Sequence, residues 1–195
     1  MTAESKRKFL ENHRDRMLPL KRVLDENGLD IPKNPNPNAK IPQRWLLRDE
    51  SNKNRLLDIN QRNFQPQSGQ MGSYGVFLGD CLTALMHYKS GAYYLFDRDT
   101  IDGDWLSIPS ESYTEQMKRI GRQHNLRIER LSDGLMAETI LFKHSVTYQP
   151  TTGIVTVPYP LDLDRVSAIF LSSGFLNPDE LKSLPSNLRE KITTF

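Results

Sequence analysis

Residues 135–142, LMAETILF, read as a β-strand: eight mostly apolar residues, branched at Thr139 and Ile140, behind the turn signal Ser132-Asp133-Gly134. Side chains alternate along a strand, so Met136, Glu138, Ile140 and Phe142 share one face. Three of those four are large and apolar, which makes that face the buried one and puts a carboxylate in its middle. An unpaired buried carboxylate is costly or is driven towards its neutral form. Glu138 therefore needs an arginine partner, an exposed place near a strand end, or a chemical task.

The rest of the composition narrows the setting. At 195 residues, 37% apolar and 26% charged, the chain is long enough for a substantial core and reads as one soluble domain, 1–195. Its core is expected over about 9–171, with a C-terminal helical tail over 177–195. No apolar run approaches the ~18–20 residues of a membrane helix, so no membrane partner is expected. The N-terminus, MTAESKRKFLENHRDR, has no apolar segment of a secretory signal. The single cysteine, Cys81, excludes an intramolecular disulfide and a multi-cysteine zinc site, and suits a reducing cytoplasm. Net charge is only +2, yet basic residues outnumber acidic ones over 6–62 while 97–104 is acidic. That asymmetry permits a phosphate-bearing partner.

Helical signals lie early and strand signals late. Phe9, Met17, Leu20, Val23 and Leu24 form an apolar stripe, and Asn27-Gly28 is a stop signal. Pro19 lacks a backbone donor and suits a first turn, so a helix is predicted from near Leu18 to Glu26, preceded by a separate helix or an extended piece. The proline- and asparagine-rich 32–42 is a loop. Residues 43–70 are polar and Arg-rich, with a short helix around 53–59. Strands are predicted at 74–78, 92–96, 125–131, 154–157 and 166–171. Short helices are predicted at 81–88, with Asp80 as its cap, and at 113–123. Asn177-Pro178-Asp179-Glu180 is a helix start, and the tail beyond is short and polar. The pattern predicts an α+β fold with a mostly antiparallel sheet and flanking helices.

Few chemical motifs stand out. Cys81 opens a predicted helix, where a thiol is acidified, and His87, His124 or His144 could serve it as a base. Gly79-Asp80-Cys81-Leu82 resembles the start of the nucleophile helix of OTU-type cysteine proteases, although a lone cysteine is more often a small core hydrophobe. Asp97, Asp99, Asp102 and Asp104 lack the spacing of a calcium loop, and no histidine pair is placed for zinc, so no metal is expected. No glycine-rich phosphate loop is present. Arg44, Arg48, Arg55 and Arg62 either contact phosphates or form a solvated basic face.

Several pieces in consistent order resemble the DarT-type DNA ADP-ribosyltransferases. His13 followed by LPLKRVLDENGL is similar to the family's early histidine and leucine-rich helix. Tyr74-Gly75-Val76-Phe77-Leu78 resembles its aromatic strand, Leu95-Phe96-Asp97-Arg98 its Phe-Thr-Asp-Arg segment, and Ile101-Asp102-Gly103-Asp104-Trp105 its Leu-Asp-Trp element. Met136-Ala137-Glu138-Thr139-Ile140-Leu141 resembles its Gln-Ala-Glu-Phe-Leu-Val strand, with Val166–Phe170 beyond.

The resemblance implies a split sheet of the ADP-ribosyltransferase type, NAD as substrate and transfer to a nucleic-acid base, DNA before protein. Glu138 would be the catalytic glutamate and Arg62 would help activate the acceptor. Tyr74 and Phe77 would line the nicotinamide pocket, His13 would touch the cofactor, and Arg98 and Arg48 would meet phosphates or the acceptor strand. Single-stranded DNA and a neutralising macrodomain hydrolase are the implied partners of such a toxin. A non-catalytic nucleic-acid- or protein-binding module of phage or mobile-element type is the alternative, and a hydrolase using Cys81 the third reading.

Overall fold

Trp45, Leu46 and Leu47 are all buried, and the six residues Arg44–Asp49 around them form β1, a central strand of the sheet. The computed structural model describes residues 8–9, 11–29, 31, 40–68, 74–107, 145–150 and 152–195. The 135–142 stretch with Glu138, the helix expected at 113–123 and the strand expected at 125–131 lie outside the described residues. The other strands are β2 (Asn63–Phe64), β3 (Gln67–Ser68), β4 (Tyr74–Gly79), β5 (Ala92–Asp97), β6 (Trp105–Ser107), β7 (Val146–Gln149), β8 (Ile154–Val157), β9 (Leu161–Asp162), β10 (Ala168–Leu171) and β11 (Ile192–Thr194).

Among the described residues one sheet runs in the order β11-β10-β5-β1-β4-β8-β7-β6, with β3 also on β4, and β2 pairs separately with β9. Among the described strand pairs only β6–β7 and β10–β11 are parallel. The fold is therefore α+β, with a mostly antiparallel sheet and flanking helices. Both faces of its centre are covered, because successive side chains of β1 point opposite ways. Trp45 and Leu47 pack with Val76, Tyr94, Phe96, Val155 and Ile169 on one face. Leu46 packs with Tyr93, Leu95 and Phe170 on the other, beneath two helices. Each large side chain buried this way contributes about 1.5–3 kcal/mol.

The first of those helices, α1 (Arg14–Glu26), corrects the expected start near Leu18. Pro19 lies inside it and leaves the Asp15 carbonyl without its usual donor. Met17, Leu20, Val23 and Leu24 are buried on both sides of the proline, and that continuous stripe outweighs the interruption. The stop signal operates as expected. Gly28 has φ +65°, its N–H bonds the Asp25 carbonyl at 3.0 Å, and Leu29 N–H bonds the Leu24 carbonyl at 3.0 Å. This is the paired closure that glycine makes at helix ends.

Beside α1 lies α3 (Cys81–Met86), reached after the short α2 (Asn54–Leu57). Asp80 caps α3 as expected, its carboxylate accepting from Thr83 N–H at 2.7 Å. The Thr83 hydroxyl donates to the Thr152 carbonyl at 2.8 Å, which ties this corner to the β7–β8 turn. Asp80→Ala is expected to cost about 1–2 kcal/mol, lowering Tm by roughly 4 °C, whereas Asp80→Asn keeps most of the stability because asparagine also caps. Thermal melts of both variants check this.

The C-terminal region is more structured than a polar tail. Asn177 and Glu180 form a reciprocal capping box on α4 (Pro178–Ser183), followed by α5 (Ser186–Arg189) and by β11 alongside β10. Leu184 and Leu188 reach the same cluster as Trp45, and that burial explains why so polar a segment is ordered. No helix among the described residues is long and apolar enough to cross a membrane.

Candidate functional site

β1 is paired with β5 along its whole length, from Arg44↔Asp97 to Asp49↔Ala92. Its pairing with β4 is confined to Leu46↔Gly79. β4 meanwhile stays paired with β8 from Val76↔Val157 to Gly79↔Ile154. The two central strands therefore part beyond Leu46, and a cavity of about 260 Å³ opens between Leu47, Arg48 and Asp49 on one side and Val76 and Phe77 on the other. Arg55, Phe64, Gln65 and Gln67 complete its wall. A second cavity of about 230 Å³ lies towards α3, against Leu46, Thr83, Ala84 and His87. Arg48 and Phe77 line both, so the split is a slot with an arginine and an aromatic ring between its two openings.

Phe77 is 42% exposed although its neighbours Val76 and Leu78 are buried. It has lost the cover that a continuous sheet provides, and its ring is available for stacking. Arg48 donates one branch of its guanidinium to the Glu50 carboxylate and another to the His87 carbonyl. Lys89 also reaches Glu50, at 3.1 Å. The Lys89 hydrogen bond, with help from the charges of Arg48 and Lys89, holds the Glu50 carboxyl below the usual carboxylate range.

Arg55 braces the other side of the slot. Its Nε donates to Asp49 Oδ2 at 2.8 Å, and its Nη1 donates to the carbonyls of Gln61 at 3.0 Å and Asn63 at 2.9 Å. The guanidinium lies 4.3 Å from the centroid of the Phe64 ring. The Arg55 and Asp49 side chains are only 18% and 14% exposed, so this pair is largely withdrawn from water. Phe64 meets Tyr94 edge-on at 5.0 Å. Burial, and then the charge of Asp49, push the Tyr94 hydroxyl far above its ordinary value, and its oxygen has no hydrogen-bond partner among the described residues.

Of the residues singled out from sequence, Arg48 and Phe77 meet at this slot. Tyr74 begins β4, its backbone paired with Ser68. Arg62 follows the 3-10 turn Ile59–Gln61; its charge acts on Asp58, and its buried Nε has no partner among the described residues. Arg62 is not on the cavity wall, although it lies two residues ahead of Phe64. His13 precedes α1, with Nδ1 2.9 Å from the Phe9 carbonyl and its ring stacked on Phe9 at 4.1 Å. Arg98 lies over Trp105 at 5.1 Å, and its N–H bonds the Gln43 carbonyl at 2.7 Å. That places Arg98 opposite Gln43, beyond the Arg44 end of β1 and roughly 17 Å along the strand from Arg48.

Cys81 is 4% exposed within the cluster shared by α1 and α3. No group of three or more His, Cys, Asp or Glu side chains among the described residues is arranged to hold a metal ion. Sequence reasoning missed Asp49, Gln65 and Gln67 at the slot and read Arg55 only as one of four arginines that either contact phosphates or form a solvated basic face. The one local signal was the alternation Arg48-Asp49-Glu50 immediately after an apolar triplet. No protein-family model, curated protein or solved structure matches the chain.

Proposed function

We propose that this protein is an NAD-dependent ADP-ribosyltransferase that modifies a nucleic-acid base, with DNA as the preferred acceptor. The observation that supports the reading is the opening of the sheet between β1 and β4, where an exposed Phe77 and a guanidinium share one slot. A planar ring stacks on an exposed aromatic, and an arginine meets phosphate oxygens. The resemblance of the 135–142 stretch assigns the catalytic role to Glu138, and Arg62 and Tyr74 follow it as acceptor-activating and ring-binding residues. His13 on the cofactor and Arg98 on the acceptor strand belong to the same reading, as does a macrodomain hydrolase as neutralising partner.

In the reaction the bond between C1′ of the ribose and the nicotinamide nitrogen breaks, and its electron pair leaves with nicotinamide. A nitrogen of the acceptor base bonds to C1′ and its proton passes to a base or to water. The transition state is oxocarbenium-like, so a carboxylate holding a ribose hydroxyl stabilises the developing positive charge.

Purified protein mixed with NAD and a single-stranded oligonucleotide is expected to release nicotinamide and to raise the oligonucleotide mass by one ADP-ribosyl unit. Glu138→Ala is expected to lower this rate at least about a hundredfold with an unchanged thermal melt. Absence of labelling on DNA, RNA and protein alike overturns the enzyme reading. Oligonucleotide binding that is equal in the unmutated protein and Glu138→Ala, with no nicotinamide release from either, indicates a non-catalytic binding module instead.

A further inference from the structure

The carboxylate of Glu50 is gripped by two cations beside the slot. Arg48 reaches one of its oxygens and Lys89 the other, the latter at 3.1 Å. Arg48 is also a wall of both openings of the slot. On its far side Glu50 lines a polar bowl of about 310 Å³ with Ser51, Lys53, Ser90, Ser172 and Ser173. Glu50 and its two cations therefore stand between the slot and a surface rich in hydroxyls. A carboxylate and a phosphate present similar anionic oxygens to a guanidinium, and arginine binds both with its planar fork.

The grip is not a structural necessity. Glu50 is 41% exposed and Lys89 62% exposed, and ion pairs so open to water contribute little to folding. The neighbouring pair Asp49–Arg55 is the buried, multiply bonded one that holds β1 to the following turn. Glu50 is thus free to leave where Asp49 is not.

We infer that Arg48 and Lys89 form a subsite for a phosphoryl group at the mouth of the slot, and that Glu50 is its resident stand-in, displaced when a phosphate enters. The inference rests on the transferase reading only for the choice of a nucleotide ligand; the anion chemistry comes from the side chains themselves. The phosphoryl group is either the diphosphate of a dinucleotide or a diester of an acceptor strand, and both offer the same oxygens.

Binding of inorganic pyrophosphate, ADP-ribose and a short single-stranded oligonucleotide, measured by calorimetry at one fixed salt concentration, tests this. If Glu50 fills the subsite nine-tenths of the time, Glu50→Gln tightens pyrophosphate about tenfold. Glu190→Gln, the same change of charge at another exposed position, sets the general electrostatic gain, expected below about twofold. Adding Lys89→Ala to Glu50→Gln is expected to cancel the gain, and this exposed side chain can be removed without touching the bond from Arg48 to the His87 carbonyl. A gain extended to ADP-ribose but not to the oligonucleotide supports the subsite and assigns it to the dinucleotide. The reverse supports it and assigns it to the acceptor. A Glu50→Gln affinity equal to that of Glu190→Gln, or no pyrophosphate binding by either protein, overturns the inference. Pyrophosphate binding that Glu50→Gln tightens, in a protein that transfers nothing from NAD, overturns the enzyme reading and leaves the subsite standing.

Discussion

Gly91→Ala is expected to lose most of its stability. Gly91 immediately precedes β5 at φ +147°, a backbone region that residues with a Cβ rarely adopt. A Cβ there would lie 2.4 Å from the Asp49 carbonyl oxygen and 3.0 Å from Glu50 Cα. Both are backbone atoms of the β1 end, so no rotamer change relieves the clash. The glycine is fixed from its other side as well: its N–H donates to Ser172 Oγ at 2.8 Å, and its carbonyl accepts from Ser172 N–H at 2.9 Å. Backbone strain and overpacking together come to roughly 3–5 kcal/mol, a large part of the ~5–15 kcal/mol that holds a domain folded. A Tm drop of about 10 °C or more, with a lower urea midpoint, is the expected result. Gly174→Ala is the control. It shares a positive φ, +80°, but its added Cβ meets nothing within 4 Å, so it bears the conformational strain alone. A Gly91→Ala melt equal to that of Gly174→Ala would show that β1 and β5 are not in close contact at this point.

Arg55→Ala is the second severe change. It leaves the Asp49 carboxylate, 14% exposed, without its cation, and removes the donor shared by the Gln61 and Asn63 carbonyls. It also uncovers the ring of Phe64. Breaking a largely buried pair by deleting one partner costs about 3–5 kcal/mol, because the surviving charge stays desolvated. Arg55→Lys is expected to recover only a minor part, since one ammonium cannot reproduce a planar fork that bonds Asp49 and two carbonyls at once. Combining Arg55→Ala with Asp49→Asn removes the stranded charge and should be milder than the sum of the single changes. Urea unfolding of the four proteins decides the matter; strict additivity would show that the pair does not act as a unit.

What could be read in the sequence was what is encoded locally. Asn177 to Glu180 carries its cap, its proline and its acids within four consecutive positions, and the helix begins there. Residues 74–78 and 92–96 are uninterrupted runs of apolar, aromatic and glycine residues, long enough to stand out as strands. β1 was passed over because its apolar part is only Trp45-Leu46-Leu47, set between arginines, and its burial is supplied by strands distant in sequence. β11 is Ile192-Thr193-Thr194, which acquires strand character only from its place beside β10. Pro19 sits inside α1 because the core holds its turn from outside, which a local helix rule does not contain.

The slot divides in the same way. Arg48 and Phe77 were visible as a cation and an aromatic. That they stand together follows from strand order, which no short-range pattern encodes. The bracing of Arg55 against Asp49, Gln61 and Asn63 joins positions six and eight residues apart through a turn whose shape the composition does not announce.

The lone pairing Leu46↔Gly79 also bears on motion. Sheets resist bending because every rung of the ladder must give at once, yet here a single rung joins the half ending in β11 to the half ending in β6. Motion about that rung would also have to shift Trp45 against Tyr148 on one face and Leu46 against α3 on the other, so side-chain packing, and not a ladder of hydrogen bonds, sets the width of the slot. A guest wedged beside Phe77 would be gripped by the stiffness of two plates rather than by the yielding of loops.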